Sequence, residues 1–441
     1  MTELRFHVYD HAVPDRRDAG RIDVLLYGPR PVHPGTGSIG HTLEAESARL
    51  GVRADPAAFD FLSIALAVTA ADTFVNRDAL ADNAWVRSLD LDIPVARPDL
   101  WRDVARPLEK ALGFLSGDLW SLSFRANGKA APSIGHINRL RRHIDLNAAD
   151  AVCLFSGGLD SMIGASELIR EGHTPLLVSH AYRGDKSYQA KVAPRLGRAV
   201  PRFSANANPV FHRLPGGEQN DTTMRTRSLN FLAFGALCAT ALCSIRPRQE
   251  QITLHVPENG FIALNAPLTR RRIGSHSTRT THPHFLNQIQ SVFDAVGIPV
   301  RLENRYRHMT KGEMLARLAP DDESKAVALA TVSCGKWKRK SLQCGHCVPC
   351  LIRGAAFYAA GIEDTTRYQY TLPQVWEKPD IRDDLIAMLA ATAPRVRSPR
   401  HYAISSGPLP EDRLERDGWF GVLDRGLREV GAYLDHRGFP V

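Results

Sequence analysis

The sequence of 441 residues lacks any long uninterrupted apolar run, and its first twenty residues lack the apolar stretch of a secretory signal. A helix that crosses a bilayer needs about 20 mostly apolar residues, so we predict no membrane span and no membrane partner. Internal repeats and low-complexity segments are absent too, which excludes the repeat architectures. The expected compartment is the cytoplasm.

Cysteine is scarce, with seven residues in the chain, and four of the seven fall within a short stretch. In a reducing compartment such clustering indicates a metal site rather than disulfides. The spacing C-x9-C-x2-C-x2-C suits four thiolates around tetrahedral Zn²⁺, whereas an iron–sulfur cluster uses the same ligands and remains the alternative. We expect the site to fix a loop beside the substrate pocket, with His346 as a non-ligand. The predicted ligands are Cys334, Cys344, Cys347 and Cys350.

The chain carries 56 Lys and Arg against 47 Asp and Glu, a net charge of +9. This balance permits contact with nucleic acid or with an anionic substrate. No RNA- or DNA-binding motif accompanies the charge, so a nucleic-acid partner is compatible with the sequence but not required by it.

Strand and helix patterns alternate from about residue 148 to 300, which predicts an α/β fold with a parallel sheet and helices on both faces. Residues 1–147 are predicted to form a small N-terminal α/β accessory domain, with a linker at 127–135. Residues 148–365 would hold the main sheet and the metal site, and 366–441 a helical extension. Within this scheme, 56–76, 98–114 and 228–244 are predicted helices, and 28–40 a Gly/Pro-rich loop.

The most informative segment is SGGLDS at 156–161, which follows the apolar strand pattern AVCLF and precedes a helix pattern beginning at Ser161. Glycines let backbone N–H groups approach a phosphate, and a helix N-terminus adds free donors and partial positive charge. An acid beside a polyanion needs a cation between them, so Asp160 is assigned to Mg²⁺ and pyrophosphate. The segment lacks the Walker pattern. The predicted ATP-binding residues are Ser156, Gly157, Gly158, Leu159, Asp160 and Ser161.

SGGLDS resembles the PP-loop of the N-type ATP pyrophosphatases, whose fold is the adenine-nucleotide alpha-hydrolase-like parallel sheet. Together with SCG and CGHCVPC, it resembles the 7-cyano-7-deazaguanine synthase family of queuosine biosynthesis over roughly 150–365. Three further segments agree: TRSLNFLAFGA at 226–236, where Ser228 replaces the family's usual Asn, ENGFIALN at 258–265, and HMTKGEML at 308–315.

The resemblance implies an ATP-dependent carbon–nitrogen ligase that adenylates the carboxylate of 7-carboxy-7-deazaguanine, with release of pyrophosphate. Ammonia then displaces AMP, and a second ATP converts the amide to a nitrile. Zinc would be structural, and Mg²⁺ would accompany ATP. The implied catalytic residues are Asp160, Ser161, Lys311 and Arg227, with the two cations neutralising phosphate charge. The expected substrate-binding residues are Glu258, Asn259, Asn265, Ser277, Thr278, Arg279 and Thr280.

The sequence departs from this family in two respects. The family's Tyr-Pro-Asp-Cys-Arg-like substrate loop is replaced by TRRRIGSHSTRTTHPHF at 269–285, which lacks the acid and the cysteine. The chain is also longer at both ends, a layout that resembles the synthase-like protein of the Qat anti-phage defence system. We therefore expect that the acceptor amine need not be ammonia, and that a partner protein could supply it.

Two other interpretations remain open. A tRNA-modifying enzyme of the sulfur-transfer type shares the PP-loop but needs a free catalytic cysteine, and Cys153, Cys238 and Cys243 are interpreted as buried core. A non-catalytic nucleotide-binding module of a defence complex would have kept the fold without turnover. A glutaminase domain pattern is missing, so ammonia from glutamine is not expected.

Overall fold

The computed structural model describes residues 1–15, 20–80, 85–132, 143–180, 185–196, 200–213, 220–221, 223–246, 250–268, 279–318, 321–336, 342–393 and 398–439. The strands are β1 (Thr2–His7), β2 (Arg21–Leu26), β3 (Gly37–Ile39), β4 (Ser88–Pro94), β5 (Leu119–Arg125), β6 (Ala151–Leu154), β7 (Pro175–His180), β8 (Arg202–Ala205), β9 (Val210–Phe211), β10 (Ile252–His255) and β11 (Val300–Glu303).

The helices of the first half of the chain are α1 (Leu43–Ala48), α2 (Pro56–Phe74), α3 (Arg77–Leu80), α4 (Pro98–Asp103), α5 (Ala105–Ser116), α6 (Leu159–Arg170) and α7 (Asp185–Val192). Those of the second half are α8 (Arg227–Ser244), α9 (Gly260–Leu264), α10 (Pro283–Val296), α11 (Lys311–Ala316), α12 (Asp322–Ala330), α13 (Val348–Ala359), α14 (Leu372–Trp376), α15 (Asp383–Thr392), α16 (Pro399–Ser406) and α17 (Arg413–His436).

The second sheet along the chain is parallel throughout, with the strand order β11-β10-β6-β7-β8. The inner strands β6 and β7 are buried along their whole length, as expected for a parallel sheet covered by helices on both faces. From the central strand β6 the chain proceeds to β7 and β8, then crosses back to β10 and β11 on the other side. The direction of winding therefore changes between β6 and β10, and ligands of such sheets bind outside the carboxyl ends of the strands at that point.

The first sheet has the order β5-β4-β1-β2-β3-β9. Its first five strands are parallel and have the same winding as the second sheet: β1 is the central strand here, as β6 is there. The strand β9 is antiparallel to β3 and follows β8 in the chain. The segment that follows β8 thus supplies an edge strand to the first sheet, and β9 links the two sheets.

One continuous hydrophobic core joins the two sheets. The helix α2 packs against α8, and α5 packs against α10. At this junction the ring of Phe61 lies edge-on to Phe293, with 5.0 Å between ring centroids. Among the described helices, α2 and α8 are long and apolar enough to cross a membrane, but 94% and 72% of their apolar windows are buried inside the protein. Their composition is therefore that of core helices.

The carboxyl edge of the first sheet is covered by the chain that leaves β5. The N–H of Gly128 donates to the carbonyl of Val95 at 3.1 Å, directly after β4. A Cβ atom at residue 128 would lie 2.3 Å from the Val95 backbone, so this close approach requires glycine. The chain after β5 thus lies directly against the backbone at the end of β4.

A second core lies in the C-terminal part of the chain. The helix α17 packs against α13, α15, α16 and α9. Its apolar stripe includes the buried ring of Trp419 and the side chains of Val422 and Leu427. The predicted helix-rich extension is therefore packed onto α9 and α13, two helices of the central part of the chain.

The fold class is α/β, as the sequence predicts, with parallel sheets and helices on both faces. The boundaries at 147 and 365 stay predictions. Two local predictions were wrong. The expected helix 98–114 is divided at Val104, because Pro107 has no N–H to donate to the carbonyl of Asp103. The expected loop 28–40 contains β3, whose Gly37 leaves room for the ring of Phe74.

We predict that Phe61→Ala lowers the free energy of unfolding by about 3–5 kcal/mol, because the junction of the two sheets would contain a cavity. Chemical denaturation followed by tryptophan fluorescence measures this loss. The control is Leu119→Ala, at a side chain 63% exposed, which we expect to change stability by less than about 0.5 kcal/mol. An equally small effect of Phe61→Ala would contradict the packing described for this junction.

Candidate functional site

Two adjoining cavities open where β6 and β10 end. The larger cavity has a volume of about 530 Å³ and the smaller cavity about 270 Å³. Their position is the change of winding in the second sheet, where a ligand site is expected. The residues that line both cavities are Ser156, Ser161, Pro257, Glu258, Cys334 and Gly335.

The segment SGGLDS forms the turn between β6 and α6 and borders the smaller cavity. The hydroxyls of Ser156 and Ser161 lie 3.1 Å apart, and the N–H of Gly158 donates to the Ser156 hydroxyl at 3.2 Å. Gly157 has φ +79°, and a Cβ there would meet the Tyr188 ring at 2.8 Å. No side chain among the described residues caps the N-terminus of α6, so its first N–H groups can receive an anion.

Asp160 joins three stretches of chain beneath this turn. Its carboxylate is 5% exposed and accepts from the Lys311 ammonium at 2.5 Å and from the Asn259 side-chain amide at 2.7 Å. Lys311 begins α11, and Asn259 caps the N-terminus of α9. Lys311 lines the smaller cavity, so the structure brings it to the phosphate loop.

The two buried carboxyls of the site have opposite pKa shifts. Burial alone would raise the pKa of Asp160, but the Lys311 ammonium and the hydrogen bonds outweigh burial and bring this pKa to about 2. Burial raises the pKa of Glu258 well above its usual range, and the neighbouring Asp160 carboxylate raises it further. The paired cation thus lowers the pKa of one carboxyl, whereas burial beside that carboxylate raises the pKa of the other.

The wall of the larger cavity combines apolar side chains with one ion pair. Arg227, the first residue of α8, donates to the carboxylate of Asp185, the first residue of α7. Tyr188, Phe231 and Thr280 also line this cavity. Sequence reasoning missed Asp185 and Tyr188, because the signal is weak: a polar helix start after a buried strand.

The four predicted metal ligands come together. Their sulfur atoms all lie within 4.8 Å of one another, with 3.9 Å between Cys344 and Cys350 and 4.0 Å between Cys334 and Cys347. Zn–S bonds of about 2.3 Å in a tetrahedron separate the sulfurs by about 3.8 Å. The donor set and its dimensions therefore fit a Zn²⁺ ion with all four positions occupied by protein.

The four-cysteine site is attached to the phosphate loop. The N–H of Val332 donates to the carbonyl of Gly157 at 3.3 Å, and two residues later Cys334 lines both cavities. The four clustered cysteines are thus connected to a piece of the cavity wall.

The predicted substrate-binding residues are more scattered. Glu258 and Thr280 line cavities, and Asn259 lies fully buried behind Asp160. Asn265 terminates α9 with φ 47° and is not among the described lining residues. The guanidinium of Arg279, another of the expected substrate-binding residues, lies 4.4 Å from the ring centroid of Phe114 in α5 and donates to that residue's carbonyl. Ser277 and Thr278 lie outside the described residues.

The remaining cysteines offer no activated thiol. Burial raises the pKa of the Cys153 thiol to about 12 and that of Cys238 well above its usual range. Cys243 is half-buried rather than buried, which corrects the sequence interpretation, and burial raises its pKa as well. A thiolate nucleophile needs a lowered pKa, so these three residues do not favour sulfur-transfer chemistry.

No protein-family model matches the chain. Over 239 residues it is 28% identical to a 7-cyano-7-deazaguanine synthase from Paracoccus denitrificans, covering 49% of this chain and 92% of that relative. Synthases of the same name from Syntrophotalea carbinolica and Rhizobium etli are 26% and 28% identical, with 49% of this chain and 96% and 91% of the relatives covered. The resemblance to this family is confirmed, and about half of the chain lies outside the alignments.

We predict that Lys311→Met lowers the free energy of unfolding by about 3–5 kcal/mol, because it leaves the buried Asp160 carboxylate without its cation. The double variant with Asp160→Asn should recover part of this loss. The wild-type contribution is present above the unfolded pKa of about 4 and lost as the pH falls from there through about 2. Denaturation curves at pH 7 and pH 3 measure both effects, and equal stability of wild type and Lys311→Met at pH 7 would contradict the pairing.

A second prediction concerns the metal. The purified protein should contain about one zinc per chain, and Cys347→Ser should lose it, because three thiolates leave the tetrahedron incomplete. Elemental analysis and thermal denaturation before and after chelation measure the content and its contribution to stability. Cys243→Ser is the control and should retain the metal. Iron with inorganic sulfide in place of zinc would contradict the assignment.

Proposed function

We propose that this protein uses ATP to adenylate the carboxylate of a 7-deazaguanine-type base and then transfers the acyl group to an amine. The observation that carries the proposal is the convergence of the SGGLDS turn, the free N-terminus of α6 and Lys311 on one cavity, which adjoins a larger cavity of about 530 Å³. The similarity to 7-cyano-7-deazaguanine synthases supports the substrate class.

The reaction proceeds in two steps. A carboxylate oxygen of the base attacks the α-phosphorus of ATP, the bond to the bridging oxygen breaks, and pyrophosphate leaves. The amine nitrogen then attacks the carbonyl carbon of the acyl adenylate, and AMP departs as the amine loses a proton. With ammonia the product is a primary amide. Its oxygen can attack the α-phosphorus of a second ATP with release of pyrophosphate, and loss of AMP and two protons then gives the nitrile.

Each group of the smaller cavity has a role in this chemistry. The N–H groups at the start of α6 and the hydroxyls of Ser156 and Ser161 bind the β- and γ-phosphates, which leave as pyrophosphate. Lys311 faces the developing charge, and Asp160 keeps it in position with a bond of 2.5 Å. Positioning and charge stabilisation account for most of the catalysis, because the mixed anhydride is itself reactive.

Two metals belong to the proposal. Mg²⁺ would accompany ATP and neutralise phosphate charge, and the carboxylate of Asp160, which lines the smaller cavity, would supply a hard oxygen donor beside the SGGLDS turn. Zn²⁺ at the four cysteines has no free position for chemistry, so its role is to hold Cys334 and Gly335 against the cavities.

The acceptor amine is proposed to belong to a partner protein of a bacterial anti-phage defence system, with ammonia as the alternative acceptor. Two features support this extension. The substrate loop 269–285 lacks the family's acid and cysteine. About half of the chain, moreover, lies outside the alignments with synthases that are themselves covered over 91–96% of their length. Additional structure beside an ATP site is expected where a macromolecular acceptor must be received.

The proposal is tested by pyrophosphate release from ATP and Mg²⁺ with 7-carboxy-7-deazaguanine. We expect release that depends on the base and falls at least about 100-fold in Asp160→Ala, because Lys311 loses its partner at the site of charge development. Glu171→Gln, at the opposite end of α6, is the control and should keep full activity. Base-independent release, or none from zinc-loaded wild type, would reject this substrate.

The acceptor is identified by mass spectrometry of the products. If a partner protein supplies the amine, the intact mass of a protein co-expressed from the same operon should increase by the mass of the carboxylic acid of the base minus the mass of one water. The increase should be absent with Asp160→Ala. Free nitrile or primary amide without any protein mass shift would support ammonia as the acceptor and contradict conjugation.

A further inference from the structure

The helix α8 begins at the wall of the larger cavity, and an acid from the N-terminal region caps it. Its first residue, Arg227, lines that cavity. The preceding residue, Thr226, donates both its backbone N–H and its hydroxyl to the carboxylate of Asp72, each at 2.9 Å. Asp72 lies in α2, is 2% exposed, and is separated from Thr226 by 154 positions. A carboxylate is favourable at a helix N-terminus, so this contact fixes where α8 starts.

Asp72 cannot move freely, because it belongs to a buried cluster of charges. Arg87 donates to Asp72 at 2.5 Å and to Asp118 at 2.7 Å, and Arg77 donates to both oxygens of Asp118 at 2.6 and 2.8 Å. Each of these side chains is less than 5% exposed. Asp72 is thus held in place by residues of the N-terminal region, while its carboxylate caps α8 of the phosphate-loop region.

The same cluster holds the segment that leads into α8. Asp221 donates its N–H to the carbonyl of Thr73 at 2.9 Å and accepts from the backbone N–H of Arg77 at 3.1 Å. Arg225 donates to the carbonyl of Ser116 at 2.8 Å. Thr223 and Met224, which lie between these anchors, line the larger cavity. The N-terminal region therefore shapes this wall without contributing a lining side chain from the residues described.

An equivalent arrangement holds α11 at the smaller cavity. Its first residue is Lys311, its N-cap is Thr310, and the acid comes from the C-terminal helix α17. The hydroxyl of Thr310 and the N–H of Gly312 donate to the carboxylate of Glu429, the latter at 3.4 Å. A Cβ at residue 312 would lie 2.3 Å from a Glu429 oxygen, so the close approach depends on glycine. Burial raises the pKa of Glu429 to about 7.

We infer that Asp72 and Glu429 are positioning residues of the ATP site, through which the N-terminal region and the C-terminal helix set the places of Arg227 and Lys311. The two helices share one pattern. Each has a threonine N-cap and a basic first residue that faces a cavity, and each threonine donates to a carboxylate from a part of the chain outside the second sheet. The inference rests on the proposed function, because it requires that the two cations meet the nucleotide.

The test compares the affinity for Mg-ATP with stability in matched pairs of variants. Asp72→Asn is paired with Asp55→Asn, which neutralises the N-cap acid of the same helix α2 but lies at the helix end remote from Thr226. Glu429→Gln is paired with Asp424→Asn, which breaks an ion pair within the same helix α17. Isothermal titration of the full chain with Mg-ATP, well below each melting temperature, gives the dissociation constants.

We expect Asp72→Asn and Glu429→Gln to weaken ATP binding about five- to tenfold, because the cations lose their fixed places. Asp55→Asn and Asp424→Asn should bind ATP within about twofold of wild type, even where they lower the melting temperature as far as the two test variants do. Unchanged affinity in both test variants, or losses that follow the melting temperature equally in the controls, would overturn the inference. Wild type that binds no ATP would instead reject the proposed function, and this inference with it.

Discussion

The buried ion pair between Asp160 and Lys311 is the contact on which the arrangement of the site depends. It joins the turn after β6 to the start of α11 across 151 positions of sequence, and Asn259 adds the turn after β10 to the same carboxylate. Two charges buried together are expensive to separate and gain little over an apolar pair. The pair is therefore better explained by what it positions than by stability: a cation beside the SGGLDS turn, on the line where the sheet changes its winding.

The second constraint is the four-cysteine site, which affects the cavities through the chain segment that it holds in place. Val332 donates its N–H to the carbonyl of Gly157 in the SGGLDS turn, and Cys334, one of the four clustered cysteines, lines both cavities. The cysteine cluster and the SGGLDS turn are thus linked over two residues. A structural metal beside a site of this kind gives rigidity where the backbone is otherwise loop, and rigidity is what a site that works by positioning requires.

The elements that could be predicted from the sequence are those that a pattern of consecutive residues determines. The phosphate turn, the cysteine cluster and the apolar helix α8 each have a local pattern. The helix after the phosphate turn begins at Leu159 rather than Ser161, since Gly158 serves as its N-cap. Arg279 could not be placed from the sequence, because its partner Phe114 is 165 positions away. The pairing of β9 with β3 was missed for the same reason, as neither short strand has an alternating pattern of its own.

The two sheets share one winding but differ at their carboxyl edges, and this difference indicates what the N-terminal region contributes. In the second sheet that edge is open and carries the phosphate loop, whereas in the first it is covered by the chain at Gly128. The helices α2 and α5 pack against α8 and α10, which occupy the corresponding positions in the second sheet. Without them, the apolar sides of α8 and α10 would face water. The N-terminal region is thus best understood as a cover for those helices. Its buried Asp72 contacts the start of α8, the helix whose first residue lines the larger cavity.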